Sequence, residues 1–127
     1  MKQMMHPFFK NVYEKGVKKM ELTVTTEAME RFQALSEASD KTIRINGELV
    51  GGCGMNVEYF LWWDEAFPDD LLLTVDAFTF VIDKETLGYI GSTQLKVDYR
   101  PQQGFRLVTP EQILAYGLQV KERWGVS

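Results

Sequence analysis

The sequence predicts a β-rich α+β domain with a helix at each end of its core, and three observations carry that expectation. Apolar and polar residues alternate in Thr42-Ile43-Arg44-Ile45-Asn46 and through Thr93, Leu95, Val97 and Tyr99, the period of a half-buried strand. Turn-forming residues punctuate these segments. Two further stretches place apolar residues at helical spacing, each behind a threonine suited to capping.

Residues 1–19 form a lysine-rich N-terminal extension that carries the only histidine, His6. Pro7 suits the first position of a helix, with Phe8, Phe9, Val12 and Tyr13 as a short apolar face. Met20 reads as a natural beginning. Lys15-Gly16-Val17 can be encoded by a purine-rich ribosome-binding sequence, which leaves the native status of the extension open. Glu21-Leu22-Thr23-Val24 then alternates as a short strand. Thr25 caps an amphipathic helix that places Ala28, Met29, Phe32 and Leu35 on one face and runs to about Ala38. The next strand, Thr42 to Asn46, ends at Gly47.

Asn56 to Trp63 is a long strand, apolar on both faces near its end, and so central or covered on both sides. Glu65 to Asp70, with Pro68 inside it, is an acidic loop. Leu71 to Val75 and Phe78 to Ile82 form a hairpin across Asp76-Ala77. Asp83 caps a short helical turn through Leu87 and Ile90 that Gly91 ends. Arg100-Pro101-Gln102-Gln103-Gly104 turns the chain into a last strand, Phe105 to Val108. Thr109, Pro110 and Gln112 supply a cap, a first helical residue and a capping box. They predict a helix to about Arg123 that buries Ile113, Tyr116 and Val120 against the sheet or a partner subunit.

Composition narrows the function classes. The 127 residues, 45% hydrophobic and 25% charged, are those of one ordinary globular domain. A net charge of −4 and a pI near 5.0 argue against nucleic acid as the partner, because the phosphate backbone requires a basic footprint. A single cysteine excludes an intramolecular disulfide and fits a reducing, cytoplasmic location. No apolar run is long enough to span a membrane, and Met4 to Phe9 is too short for a signal peptide.

The candidate site is Gly51-Gly52-Cys53-Gly54, where the only thiol stands among glycines directly before the most apolar run in the chain. Glycines remove local cover, and an accessible thiolate is the form that ligates metal or exchanges sulfur. A packed cysteine filling a tight spot is the bland alternative. Tyr59, Trp62 and Trp63 are candidates for a pocket or interface; adjacent strand residues face opposite ways, so one of the two tryptophans belongs to the core. Asp64, Glu65, Asp69 and Asp70 read as solvated loop in preference to a hard-cation site. His6 has no partner at a catalytic spacing, the glycines lack a phosphate-loop pattern, and no acid–base pair marks an enzyme.

The run from Met20 to about Val108 resembles the HesB/IscA-type domain of iron–sulfur cluster biogenesis proteins. The resemblance rests on four landmarks in order: Leu22-Thr23-Val24-Thr25 before a helix; Gly51-Gly52-Cys53-Gly54-Met55 followed by Tyr59; Asp76 to Asp83 continuing to Leu87; and Thr93 to Tyr99 followed by Gly104 to Val108. It implies a compact sandwich or pseudobarrel over residues 20–108, with residues 109–127 as an added helix. It also implies Cys53 as the metal or cluster ligand, iron–sulfur assembly proteins as partners, and a homodimer. One departure stands out. Cluster-holding relatives carry Cys-Gly-Cys after the closing strand, where this chain has Thr109-Pro110 and no further cysteine. A [2Fe–2S] cluster takes four thiolates, or two thiolates and two histidines. One chain therefore has too few ligands. Two functions follow: an accessory protein that handles iron, cluster or sulfur transiently through Cys53, or a binding module that kept the fold and lost the metal chemistry.

Overall fold

The computed structural model describes residues 8–12, 20–36, 42–51 and 56–122. The elements run β1 (Phe8–Val12), β2 (Glu21–Thr25), α1 (Thr26–Leu35), β3 (Thr42–Val50), β4 (Asn56–Trp63), β5 (Leu71–Val75), β6 (Phe78–Ile82), α2 (Lys84–Ile90), β7 (Gln94–Arg100), β8 (Gly104–Val108), β9 (Ile113–Leu118) and β10 (Val120–Glu122). The strands make two five-stranded sheets, ordered β1-β2-β7-β8-β9 and β10-β4-β3-β6-β5. Three pairings are parallel, β2 with β7, β3 with β6 and β10 with β4. The β-rich α+β class is the one the alternation predicts.

Period-two patterning fills the space between the sheets. In β3 and β4, Ile43 lies opposite Trp63 and Ile45 opposite Leu61, and all four are buried. Leu22, Val24, Leu95, Val97, Phe105 and Leu107 face them from the other sheet. Helix α1 ties the two layers together. Its Phe32 stacks on Phe105 of one sheet at 4.4 Å and meets Phe80 of the other edge-on at 5.5 Å. The caps are the expected ones: Thr25 Oγ1 accepts from the Ala28 N–H, and Asp83 from the Thr86 N–H. Helix α1 closes at Leu35, and residues 37–41 lie outside the described residues. Strand β3 continues past Gly47 to Val50 because its partner β4 runs opposite it for its whole length.

Two expected helices are strands. Phe8–Val12 pairs antiparallel with β2, so the segment behind Pro7 follows the β preference of its aromatic and branched residues. The C-terminal helix predicted from Thr109 is also absent. The capping chemistry does form: the Gln112 N–H donates to Thr109 Oγ1 at 3.2 Å, and the Thr109 N–H donates to the Gln112 carbonyl at 2.8 Å. It closes a turn, after which β9 pairs with β8 and β10 with β4. Two glycines oppose a helix there. Gly117 has φ 73°, and Gly104 has φ 71° with its Cα so near β9 that a Cβ would lie 2.9 Å from the Leu118 carbonyl oxygen. Ile113 and Tyr116, expected to be buried, are 53% and 72% exposed.

Because Phe32 joins both sheets, Phe32→Ala is expected to lower stability by about 3–5 kcal/mol, as large-to-small changes at buried aromatics do. Urea denaturation checks this; a loss below about 1 kcal/mol would show that α1 is not part of the core.

Candidate functional site

Cys53 falls on the connection between β3 and β4. Val50 pairs with Asn56, so the connection is the end of a hairpin. Gly51 is exposed with φ 89°, a left-handed conformation that favours glycine. Gly52, Cys53 and Gly54 lie outside the described residues, as does His6.

The three aromatic candidates divide by strand parity. Tyr59 and Trp63 face the core: Tyr59 packs over Gly47, and Trp63 lies against Phe78 with ring centroids 6.5 Å apart. Burial pushes the Tyr59 phenol above its ordinary pKa. Trp62 points the other way and stacks on Phe60 at 5.6 Å. These two line a groove of about 690 Å³ between β4 and β9, whose other wall includes Ile113, Tyr116 and Leu118. Glu58 lines it near the hairpin end, directly opposite Glu48 in register, and both glutamates are exposed.

Further along this face lies a constellation the sequence reading missed. Arg44, opposite Trp62, is 2% exposed. Its Nε donates to Asp64 Oδ2 at 2.5 Å, and Nη1 and Nη2 donate to the two Asp70 oxygens at 3.0 and 2.6 Å. Nη2 also donates to the Glu65 carbonyl, and the Phe67 ring covers the guanidinium at 5.0 Å. Burial opposes the charge, but the hydrogen bonds to Asp70 and Asp64 outweigh it and raise the Arg44 pKa. The loop expected to be simply solvated is therefore split. Glu65 and Asp69 are exposed, whereas the Asp64 and Asp70 side chains are sealed onto the arginine. The only hint in the sequence was a charged residue between two isoleucines.

A second buried ion-pair cluster, centred on Asp98, supports α1. Asp98 accepts from Thr25 Oγ1 at 2.9 Å and from Arg106 Nη2 at 2.8 Å. Burial raises its pKa, but these bonds, the Tyr99 N–H and the Arg106 charge prevail and hold it below the usual aspartate value. The Thr25 hydroxyl thus caps the helix with its lone pair while its proton is fixed by Asp98. Among the described residues, no three of His, Cys, Asp and Glu are grouped so as to hold a metal ion. With one cysteine and one histidine in the whole chain, a resident iron–sulfur cluster does not fit a single subunit.

The fold and site define a β-rich two-sheet domain with its sole thiol on a glycine-flanked hairpin connection. The profile of the family described as "Iron-sulphur cluster biosynthesis" matches residues 20–122, and the chain belongs to that family. Its place is therefore in iron–sulfur cluster biogenesis. The structure is similar to that of Escherichia coli SufA, described as involved in biosynthesis of iron–sulfur clusters. The TM-score is 0.55 at 20% identity, over 71% of this chain and 81% of that one, a likeness in fold. No curated protein matches the sequence. No helix among the described residues is long and apolar enough to cross a membrane.

Arg44→Met would leave two buried carboxylates without their guanidinium, and it is expected to cost about 3–5 kcal/mol. Chemical denaturation checks it, and an unchanged midpoint would remove the clamp from the account. Asp98 has a depressed pKa in the folded state, so its contribution is present above the ordinary value of about 3.9 and fades as pH falls through the folded value. Asp98→Asn is therefore expected to lower stability at neutral pH and to flatten its decline below about pH 4. Denaturation midpoints across that range read the slope; an unaltered slope would contradict it.

Proposed function

We propose that this chain is an accessory protein of iron–sulfur cluster biogenesis that handles iron, a cluster or sulfur transiently through the Cys53 thiolate. The observation that carries the reading is family membership over residues 20–122 in a chain whose single thiol lies within that span. Ligand arithmetic shapes the mechanism. One thiolate can hold cargo only in company, so a cluster forms between two subunits or with small external thiols filling the remaining positions. Such cargo is labile, which suits transfer better than storage. The partners are iron–sulfur assembly proteins, the protein acts as a carrier and not as an enzyme, and the reduced thiol suits the cytoplasm.

A specific observation favours a second reading. The C-terminal segment, where cluster-holding relatives place two cysteines, is taken up as β9 and β10 by both sheets. A binding module that kept the fold and lost metal chemistry would be built this way.

Anaerobic reconstitution with ferrous iron and sulfide, followed by absorption spectra and iron counting by oligomeric state, separates the two. The expected outcome is no stable cluster on the monomer, and iron–sulfide absorption in the dimer or with added glutathione. That absorption disappears in Cys53→Ser. Equal iron in Cys53→Ser, or a thiol that resists reagent until the protein unfolds, would favour the binding module.

A further inference from the structure

We propose that the open edge of β4, from Asn56 to Phe60, receives an extended segment of a partner protein bearing basic side chains, added as a strand beside the Cys53 connection. On one side β4 pairs with β3 from Asn56 to Trp63; on the other, β10 reaches only Leu61 to Trp63. The chain crosses at Gln119, so β9 belongs to the opposite sheet and pairs with β8. Among the described residues, no strand is hydrogen-bonded to the first five positions of β4 on that side; β9 approaches β4 there without pairing and forms the far wall of the groove. An exposed edge of alternating N–H and C=O groups is a template for strand addition.

The surroundings are shaped for an occupant. The edge opens onto the groove of about 690 Å³, where Phe60 and Trp62 offer aromatic surface on one wall and exposed Ile113 and Tyr116 stand on the other. Buried aromatic anchors are what extended ligands use in such grooves.

Charge selects the occupant. Glu48 and Glu58 face each other directly, a like-charge cross-strand pair that weakens the sheet by itself. The Asn46 side chain donates to Glu48 Oε2 at 3.1 Å, but an amide adds no positive charge. Lys121 sits beside Trp62, at the far end of the groove, which leaves the end next to Gly51 acidic. An added strand sets every second side chain over this face. Lysine or arginine there would lie against Glu58. A second copy pairing β4 edge to β4 edge would instead set Glu58 near its own counterpart. The occupant is a basic segment of a different protein, and a second copy is the other outcome of the test. The docking stands on the edge, the groove and the glutamates; only its relevance to cargo transfer rests on the function proposed above.

The probe is a short peptide of alternating lysine and valine, with a glutamate–valine peptide as its counterpart, titrated into the full chain. Amide hydrogen exchange at Asn56 to Phe60 should slow with the lysine peptide and not with the glutamate peptide. Glu58→Lys converts the like-charge pair into an opposite one, so it should not lower fold stability, yet it should weaken the lysine peptide by about tenfold or more. Cys53→Ser should bind the peptide undiminished, which separates this proposal from the thiol chemistry. Four results would overturn it: protection confined to other edges, equal binding of both peptides, unaltered affinity in Glu58→Lys, or peptide binding lost in Cys53→Ser. Sedimentation showing the free chain to be a dimer, together with Asn56 to Phe60 amides already protected from exchange in it, would assign the edge to a second copy and overturn it too.

Discussion

Gln119 is the one residue between a strand bonded into the first sheet and a strand bonded into the second, and that crossing governs the rest of the molecule. Two stacked sheets have four edges, each a row of backbone groups that must find partners or water. By dividing its last strands between the sheets, the chain covers β8 with β9 and the end of β4 with β10. The crossing demands close backbone approach, which Gly104 and Gly117 permit at positive φ. It also has a cost in coverage. Because the chain spends β9 on the first sheet, β10 is only three residues long, and among the described residues the start of β4 has no hydrogen-bonded strand on that side.

Strand β4 consequently has two unlike ends. At Trp62 and Trp63 it is held by β10, by the core and by the neighbouring Arg44 clamp. A buried ion pair of this kind adds little net stability over an apolar replacement, since desolvation offsets the attraction. Its value is geometric: four hydrogen bonds fix the loop from Asp64 to Asp70 over the sheet in one arrangement. At Asn56 the strand meets the connection that carries Cys53, with a groove alongside. Strand β4 is thus fixed at one end and exposed at Asn56 at the other.

Much of this was legible in the sequence, for physical reasons. The bounds of β4 follow from its apolar run, the β5–β6 hairpin from Asp76-Ala77, and α2 from a capping aspartate and a closing glycine. The family was legible as well, because its landmarks occur in order within the matched span. The C-terminal strands were not, since Thr109, Pro110 and Gln112 form a genuine capping arrangement that local rules extend into a helix. Gly117, disfavoured inside a helix by about 1 kcal/mol, was the contrary signal. What decided the matter was non-local: the edges of β8 and β4 required partners. Arg44 was hidden for the same kind of reason. Alternation places it opposite the core face, but only the folded loop shows that this side is also covered. For the candidate site, strand parity separated Trp62 from Trp63, whereas Cys53 rests on its glycine neighbours and its family.

The crossing is tested most directly by NMR of the full chain, reading backbone chemical shifts over residues 109–122 and cross-strand nuclear Overhauser effects. Extended-backbone shifts are expected for Ile113–Leu118 and Val120–Glu122, with contacts from Val120 to Leu61 and from Ala115 to Leu107. Continuous helical shifts from Thr109 onward, without those contacts, would contradict it.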